Sequence, residues 1–200
     1  PVNQQQKKFL AIASAEIVRM SDLLNRLMLV SRLESGGLSM DSGPLEVSGF
    51  ISECIRYVAS LAKSKNIRIE TEIPPNLPNM MADPDQLQRV VSNLLGNAVK
   101  FSGSGDKIKV AAGLDGKGRN IIFSVSDNGP GVPATEQSLI FNKYYQARGM
   151  RKQADGVGLG LSISRQIVKA HRGDIRVTSR IGKGSTFYFT IPVARPETAQ

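Results

Sequence analysis

Three short clusters between residues 93 and 161 constrain this chain more than any other feature. Asn93, Asn97 and Lys100 stand at i, i+4 and i+7. Asp127 is followed by Asn128, Gly129, Pro130 and Gly131. Gly156, Gly158 and Gly160 alternate with apolar residues up to Leu161. Each cluster demands a particular backbone. The first needs a helix, because only helical spacing puts those three residues on one stripe. The second ends a strand, since Ile121, Phe123 and Val125 alternate just before it. The third opens a helix through a glycine-rich loop. A chain that must supply all three in this order is an α/β fold.

The helix has its own start signal. Asp83 can cap, Pro84 suits the first helical position, and Gln86 can reach back to close a capping box. Leu87, Val91, Leu94, Leu95 and Ala98 then form an apolar face. Opposite it, two amides and an ammonium suit a metal–triphosphate: a hard cation takes oxygen ligands, and a lysine is a point charge for phosphate. On Asp127, a carboxylate at a strand end beside glycines can accept a hydrogen bond from an adenine amino group. At Gly156 to Gly160, unpaired N–H groups at a helix start form an anion site. The spacing is neither the dinucleotide fingerprint nor a Walker A loop. Taken alone, these features also describe a solvated helix face, an ordinary turn and a flexible loop. Together and in order they describe a nucleotide site.

On these residues the chain resembles the catalytic and ATP-binding domain of bacterial sensor histidine kinases. That domain belongs to the wider GHKL ATPase group with gyrase and heat-shock chaperones. Residues 91–102 resemble its N box, 127–133 its first glycine box, 140–146 its F box, and 156–163 its second glycine box. Residues 182–192 resemble its closing strand. The resemblance spans about residues 44 to 193. It implies a two-layer sandwich, a mixed sheet with helices on one face (the Bergerat type), preceded here by a long N-terminal helix.

The resemblance also implies roles. Asn97 would ligate Mg2+, with Asn93 supporting metal or phosphate and Lys100 facing the phosphates. Asp127 would accept from adenine, helped by the Thr186 hydroxyl or a bridging water. Gly129 and Gly131 would floor the adenine pocket. Gly156, Gly158, Gly160 and the Leu161 backbone would lie beside the phosphates. Tyr145 would stack near the base or ribose, and Lys143 would add charge. Asn93 stands where ATP-hydrolysing relatives of the group usually carry a glutamate base. That favours phosphoryl transfer to a protein over hydrolysis. The partners implied are ATP or ADP, a histidine-bearing dimerisation domain and a response regulator.

The chain departs from the family in its acceptor. The single histidine, His171, precedes Arg172 and Gly173 at a helix end, where a cap glycine and a cation are both favourable. It reads as structural. Residues 9–17 echo the start of an acceptor motif, with Ala15 at the histidine's place and no Arg-Thr-Pro following. Residues 16–34 read better as the second dimerisation helix, ending in Ser31, Arg32, Leu33 and Glu34. The expectation is a fragment, a deleted form, or a natural kinase without its own acceptor.

The remaining elements follow from periodicity. Residues 3–35 read as one helix, about 50 Å long at 1.5 Å per residue. Its apolar stripe (Phe9, Ala13, Ile17, Met20, Leu24, Leu27) calls for a second chain, hence a homodimer. Ser35 to Gly37, with Gly43 and Pro44, read as a linker. Residues 1–43 would then be dimerisation helix and linker, and 44–200 the kinase domain. A helix (48–64), a strand (67–72), the amide-bearing helix, and a hairpin (107–114 and 120–126) follow. A lid spans 132–157, and a helix (159–170) and a last hairpin around Gly182 close the domain.

Composition excludes some alternatives. The net charge of +9 comes from basic residues spread over several segments. Aromatic interleaving is sparse, which argues against nucleic acid. Lys143, Arg148, Arg151 and Lys152 do gather in the lid, where a triphosphate or an acidic partner would benefit. One cysteine, Cys54, fits a reducing compartment and a buried packing role. No apolar run approaches membrane length, so a cytoplasmic domain is expected, with a membrane only through other parts of a parent protein. Two other functions compete: a non-catalytic ATP-binding or dimerisation module, and a related anti-sigma serine kinase. The intact Asn97, Lys100, Asp127 and glycines speak against the first, and the long N-terminal helix against the second.

Overall fold

Asp83 caps a helix as its sequence suggests. Its Oδ1 accepts from the Gln86 N–H at 3.0 Å, and α3 runs from Pro84 to Phe101. The box is closed from elsewhere, however. The Asp83 N–H donates to His171 Nε2 at 3.0 Å, while the Gln86 side-chain oxygen is buried without a partner. His171 Nδ1 lies 2.8 Å from the Ile167 carbonyl. Nε2 must accept and Nδ1 must donate, so the ring is neutral with its proton on Nδ1. Both nitrogens are occupied and the residue is 5% exposed. His171 is structural, joining the end of one helix to the start of another.

The computed structural model describes residues 3–34, 39–147 and 157–194. Contacts divide the chain into two units, Pro1–Ser39 and Met40–Gln200. In the first, α1 spans Gln4–Glu34. Phe9, Ile17, Met20 and Leu24 are each more than half exposed along it.

The second unit is built in two layers. Strands β2 (Arg68–Glu72), β4 (Lys107–Leu114), β5 (Asn120–Asp127), β6 (Ile175–Arg180) and β7 (Gly184–Pro192) form one sheet in the order β2-β4-β5-β7-β6. The β2–β4 pair is parallel and the others antiparallel. Burial alternates along β4, β5 and β7. Ile108, Val110, Ile121, Phe123, Val125, Phe189 and Ile191 therefore point to the covered face. Phe123 and Phe189 stack there with centroids 4.7 Å apart. Helices α2 (Val47–Ser64), α3 and α4 (Gly160–Ala170) supply the other layer. Cys54 is fully buried within α2. Burial, with the Glu53 charge beside it, pushes its thiol up to about 12, so it packs and does not react.

Two expectations are corrected. Gly43 and Pro44 are not linker. They begin β1 (Gly43–Leu45), which pairs antiparallel with β3 (Met80–Ala82) in a separate two-stranded sheet. Three-residue strands are too short to show alternation, so neither was visible beforehand. Strand β5 also runs one residue further than expected, to Asp127, which pairs with Ser185. Helices α2 and α4 and strands β2 and β4 begin and end within a residue of expectation. Ser35 to Gly37 lie outside the described residues.

Candidate functional site

The amide-bearing stripe sits on α3, whose opposite face (Leu87, Val91, Leu94, Leu95, Ala98) is fully buried. Asn93, Asn97 and Lys100 are half-buried along the stripe. The C-terminal end of the helix is held by a residue that no motif marked. Lys65 Nζ donates to the carbonyls of Val99 at 2.9 Å, Lys100 at 2.8 Å and Ser102 at 3.4 Å. A cation on the last carbonyls satisfies groups the helix leaves open and opposes its dipole. Lys100 Nζ lies 5.6 Å from the Phe101 ring centroid.

Beside that end stands Asp127. Its Oδ1 accepts from the Gly129 N–H at 2.9 Å and the Ser185 N–H at 3.3 Å. Neither bond uses Oδ2. Burial pushes the carboxyl above its ordinary value, the two backbone donors pull it back, and the Asp106 charge adds to the rise. Gly129 is buried close against the Phe101 carbonyl, where a Cβ would come within 3.1 Å of that oxygen. Gly131 has φ +75°, and a Cβ there would run into the Arg180 carbonyl. Both glycines are thus required by close backbone approach.

Thr186 does not take the place expected of it. Its hydroxyl donates to Ser126 Oγ at 3.0 Å. Thr186 pairs with Ser126, and Ser185 with Asp127. Strand alternation sends the two pairs to opposite faces of the sheet. The neighbour of Asp127 is Ser185.

The other end of α3 meets α4. Asn93 Nδ2 donates to Ser164 Oγ at 2.9 Å, and that hydroxyl donates to the Gly160 carbonyl at 3.1 Å. A Cβ on Gly160 would overlap the Asn93 amide. Asn93 therefore joins the two helices, one of its amide groups already engaged. No side chain caps the start of α4 at Leu159. Its first N–H groups, with the Leu161 backbone, remain as donors at the positive end of the helix dipole. Gly158, at φ +75°, presses against the backbone of Tyr144 and Tyr145, and its carbonyl accepts from the Tyr144 N–H at 3.0 Å. Tyr145 and Lys143 are half-buried in this turn. Gly156 lies outside the described residues, as do Arg148, Arg151 and Lys152.

These contacts make α3 a ruler. The Asp127 loop touches it at Phe101, and the start of α4 touches it at Asn93. Eight residues separate the two points, about 12 Å at helical rise. A carboxylate held by backbone donors stands at one end and an uncapped helix start at the other, with amides and an ammonium between.

Residues 82–195 match the family of histidine kinase-, DNA gyrase B-, and HSP90-like ATPases. The chain belongs to this family. It is 33% identical over 199 residues to the adaptive-response sensory kinase SasA of Synechocystis sp., a match covering 98% of this chain and 51% of that protein. It is 34% identical over 190 residues to the aerobic respiration control sensor protein ArcB of Escherichia coli, covering 94% of this chain and 24% of that one. Full-length ShkA, solved in complex with AMPPNP, matches with a TM-score of 0.87 and 26% identity over 98% of this chain and 40% of that one. The catalytic domain of histidine kinase ThkA matches with a TM-score of 0.68 and 27% identity, covering 78% of this chain and all of that one. The chain spans about half the length, or less, of the curated relatives named here.

Within this histidine kinase-like ATPase domain, four supporting residues escaped sequence reasoning: Lys65, Ser164, Ser179 and Ser185. Each makes a hydrogen bond across more than thirty residues of chain, to Val99, Asn93, Val132 and Asp127 respectively. Gly184 was visible only as part of the closing-strand phrase. Its φ of +87° and the overlap a Cβ would make with the Asp127 carbonyl explain why glycine stands there.

The donor set also bears on a metal. Among the described residues, no group of three or more His, Cys, Asp or Glu side chains could hold an ion. The amides on α3 fit a cation that keeps several waters and takes its remaining oxygens from phosphate, which is the habit of Mg2+. Among the described residues, no helix is long and apolar enough to cross a membrane.

Proposed function

We propose that the chain is the ATP-binding catalytic unit of a two-component sensor histidine kinase, and that it passes the γ-phosphoryl group of ATP to a histidine it does not itself supply. The ruler along α3 carries this reading. A base anchored at Asp127 and phosphates held at the start of α4 fix a nucleoside triphosphate by both ends.

Asp127 accepts from the adenine amino group through Oδ2, because Oδ1 is held by backbone donors. Gly129 and Gly131 let the ring approach the backbone. The N–H groups at Gly158, Gly160 and Leu161 face the phosphates, with Lys100 and Lys143 adding charge. Tyr145 covers the base or ribose. Asn97, supported by Asn93, holds Mg2+, which neutralises the phosphate charge when bound. Phosphoryl transfer asks a protein mainly for positioning and charge neutralisation. An amide at Asn93 cannot act as a general base toward water, which favours a protein nucleophile as the acceptor over hydrolysis.

That nucleophile is not His171, since both of its ring nitrogens are engaged inside the fold. Residues 1–39 serve as dimerisation segment, and residues 40–200, which include β1, as kinase domain. The exposed stripe of α1 pairs two chains. A response regulator takes the phosphoryl group onward, and ATP as donor puts the reaction in the cytoplasm. Incubation with γ-labelled ATP tests the scheme. Label should reach a separately supplied dimerisation domain bearing the histidine, as an acid-labile phosphate, and should not reach this chain. Acid-labile label on this chain alone, lost in His171→Ala, would overturn it.

A further inference from the structure

The Ser179 hydroxyl is saturated. It accepts from the Val132 N–H at 2.7 Å and donates to the Gly184 carbonyl at 2.8 Å. Its third neighbour is Ser185 Oγ at 2.9 Å. A hydroxyl has one proton and two lone pairs. The Ser179 proton is directed at the Gly184 carbonyl, so Ser185 must be the donor in the third bond. One hydroxyl on β6 thus ties the loop after Asp127 to the hairpin turn whose Ser185 N–H holds Asp127. The side chain of Gln137 adds to the tie, donating to the carbonyls of Val132 at 3.1 Å and Ser179 at 2.8 Å. The Gly182 N–H closes it by donating to the Pro130 carbonyl at 2.8 Å.

Both backbone donors to Asp127 Oδ1 depend on this arrangement. Gly129 sits in the loop that Ser179 secures at Val132. Ser185 sits in the turn that Ser179 secures at Gly184. We infer that Ser179 is a positioning residue for base selection: it fixes the two N–H groups that occupy Asp127 Oδ1, and so aims Oδ2 at an exocyclic amino group. The inference rests on the adenine role proposed for Asp127. It goes further in placing the control of purine selectivity on β6, forty-seven residues away from Val132 in sequence.

A residue that merely held the fold would weaken every nucleotide alike. A residue that aims Oδ2 weakens only nucleotides with a 6-amino group. The experiment measures dissociation constants of the whole chain, without Mg2+, for ADP and for purine riboside diphosphate, which lacks that amino group. Ser179→Ala should weaken ADP by about tenfold, the scale of one buried hydrogen-bond system. The deamino analogue should change less than about twofold, within ordinary variation of a surface-level effect. In an Asp127→Asn background, Ser179→Ala should leave the ADP-to-analogue ratio unchanged. Ser179→Thr, which keeps the hydroxyl, should retain the wild-type ratio. If Ser179→Ala does not fold, Ser179→Cys keeps the volume with a weaker hydrogen-bonding group and should still lose selectivity. Equal weakening of both ligands, or unchanged selectivity in a folded Ser179→Cys, overturns the role of Ser179 while leaving the nucleotide site standing. A wild-type chain that binds ADP no better than the analogue overturns the adenine reading of Asp127, and the inference with it.

Discussion

At the Phe101 end of α3 backbone meets backbone, whereas at the Asn93 end a side chain meets backbone. Gly129 lies on the Phe101 carbonyl, Gly131 on the Arg180 carbonyl and Gly184 on the Asp127 carbonyl. Those neighbours cannot give way. At the other end Gly160 lies against the Asn93 amide, and α4 begins with no side-chain cap. The difference separates two kinds of recognition. A base has a fixed shape and one amino group, so rigid backbone suits it. Phosphates and a hydrated cation, proposed for the other end, are charged and adjustable, and an uncapped helix terminus beside a side-chain amide suits them.

Breaking the rigid end should have the largest effect. Gly184→Ala puts a Cβ at φ +87° and into the Asp127 carbonyl. Strain at positive φ together with backbone overlap should cost at least about 3 kcal/mol of stability. Urea denaturation of wild type and variant measures it. A loss below about 1 kcal/mol, the scale of an ordinary substitution, would show that the rigid end yields more easily than its geometry implies.

Removing the charge at that end without touching its backbone should cost less. Asp127→Asn keeps an oxygen for the two backbone donors but sets an amide NH2, itself a donor, in the place of Oδ2. A hydrogen bond to a charged group is worth about 1.5–3 kcal/mol, so adenine nucleotide should weaken by roughly 10- to 150-fold with the fold intact. Calorimetry that returned equal affinity would remove Asp127 from the site.

The adjustable end is probed through its cation. Asn97→Ala deletes the amide oxygen proposed as ligand and leaves the proposed adenine contacts alone. The dependence of nucleotide affinity on Mg2+ should fall to less than about twofold. A variant that responds to Mg2+ as wild type does would place the metal elsewhere.

The same contrast explains what could be read from sequence. Helix α3 was legible because its start, its apolar face and its stripe are all local patterns. So were the β4–β5 hairpin and the glycines, which follow from turn chemistry. Gly43 and Pro44 misled because composition alone marks them as linker, while their pairing with Met81 and Ala82 is made nearly forty residues away. Thr186 was named from the family resemblance, and a register shift of one residue cannot be seen in a phrase such as Gly-Ser-Thr-Phe. That shift decides which side chain faces Asp127. His171 was recognised as structural from its helix end, but its bond to the Asp83 N–H, in the place of Gln86, required the fold. Lys65 and Ser179 gave no signal at all, since the carbonyls that Lys65 holds and the Val132 N–H that Ser179 accepts from lie more than thirty residues away.

The smallest effect expected is on pH, and it divides stability from binding. Burial raises the Asp127 carboxyl above its ordinary value. Between that ordinary value and the raised one, the folded chain holds a proton that the unfolded chain has released. Stability without nucleotide therefore gains from this group as pH falls through the raised value, and the gain is complete below the ordinary one. Binding moves the other way. A protonated carboxyl loses the charge that accepts from an amino group, so ADP affinity should fall over the same window. Asp127→Asn should abolish both trends, and the difference between wild type and variant isolates them from other carboxylates. Denaturation and calorimetry across the carboxylate range give the two slopes. If stability and affinity fall together on acidification in that difference, Asp127 is held charged by its backbone donors, and the rigid end of the site is more polar than its burial implies.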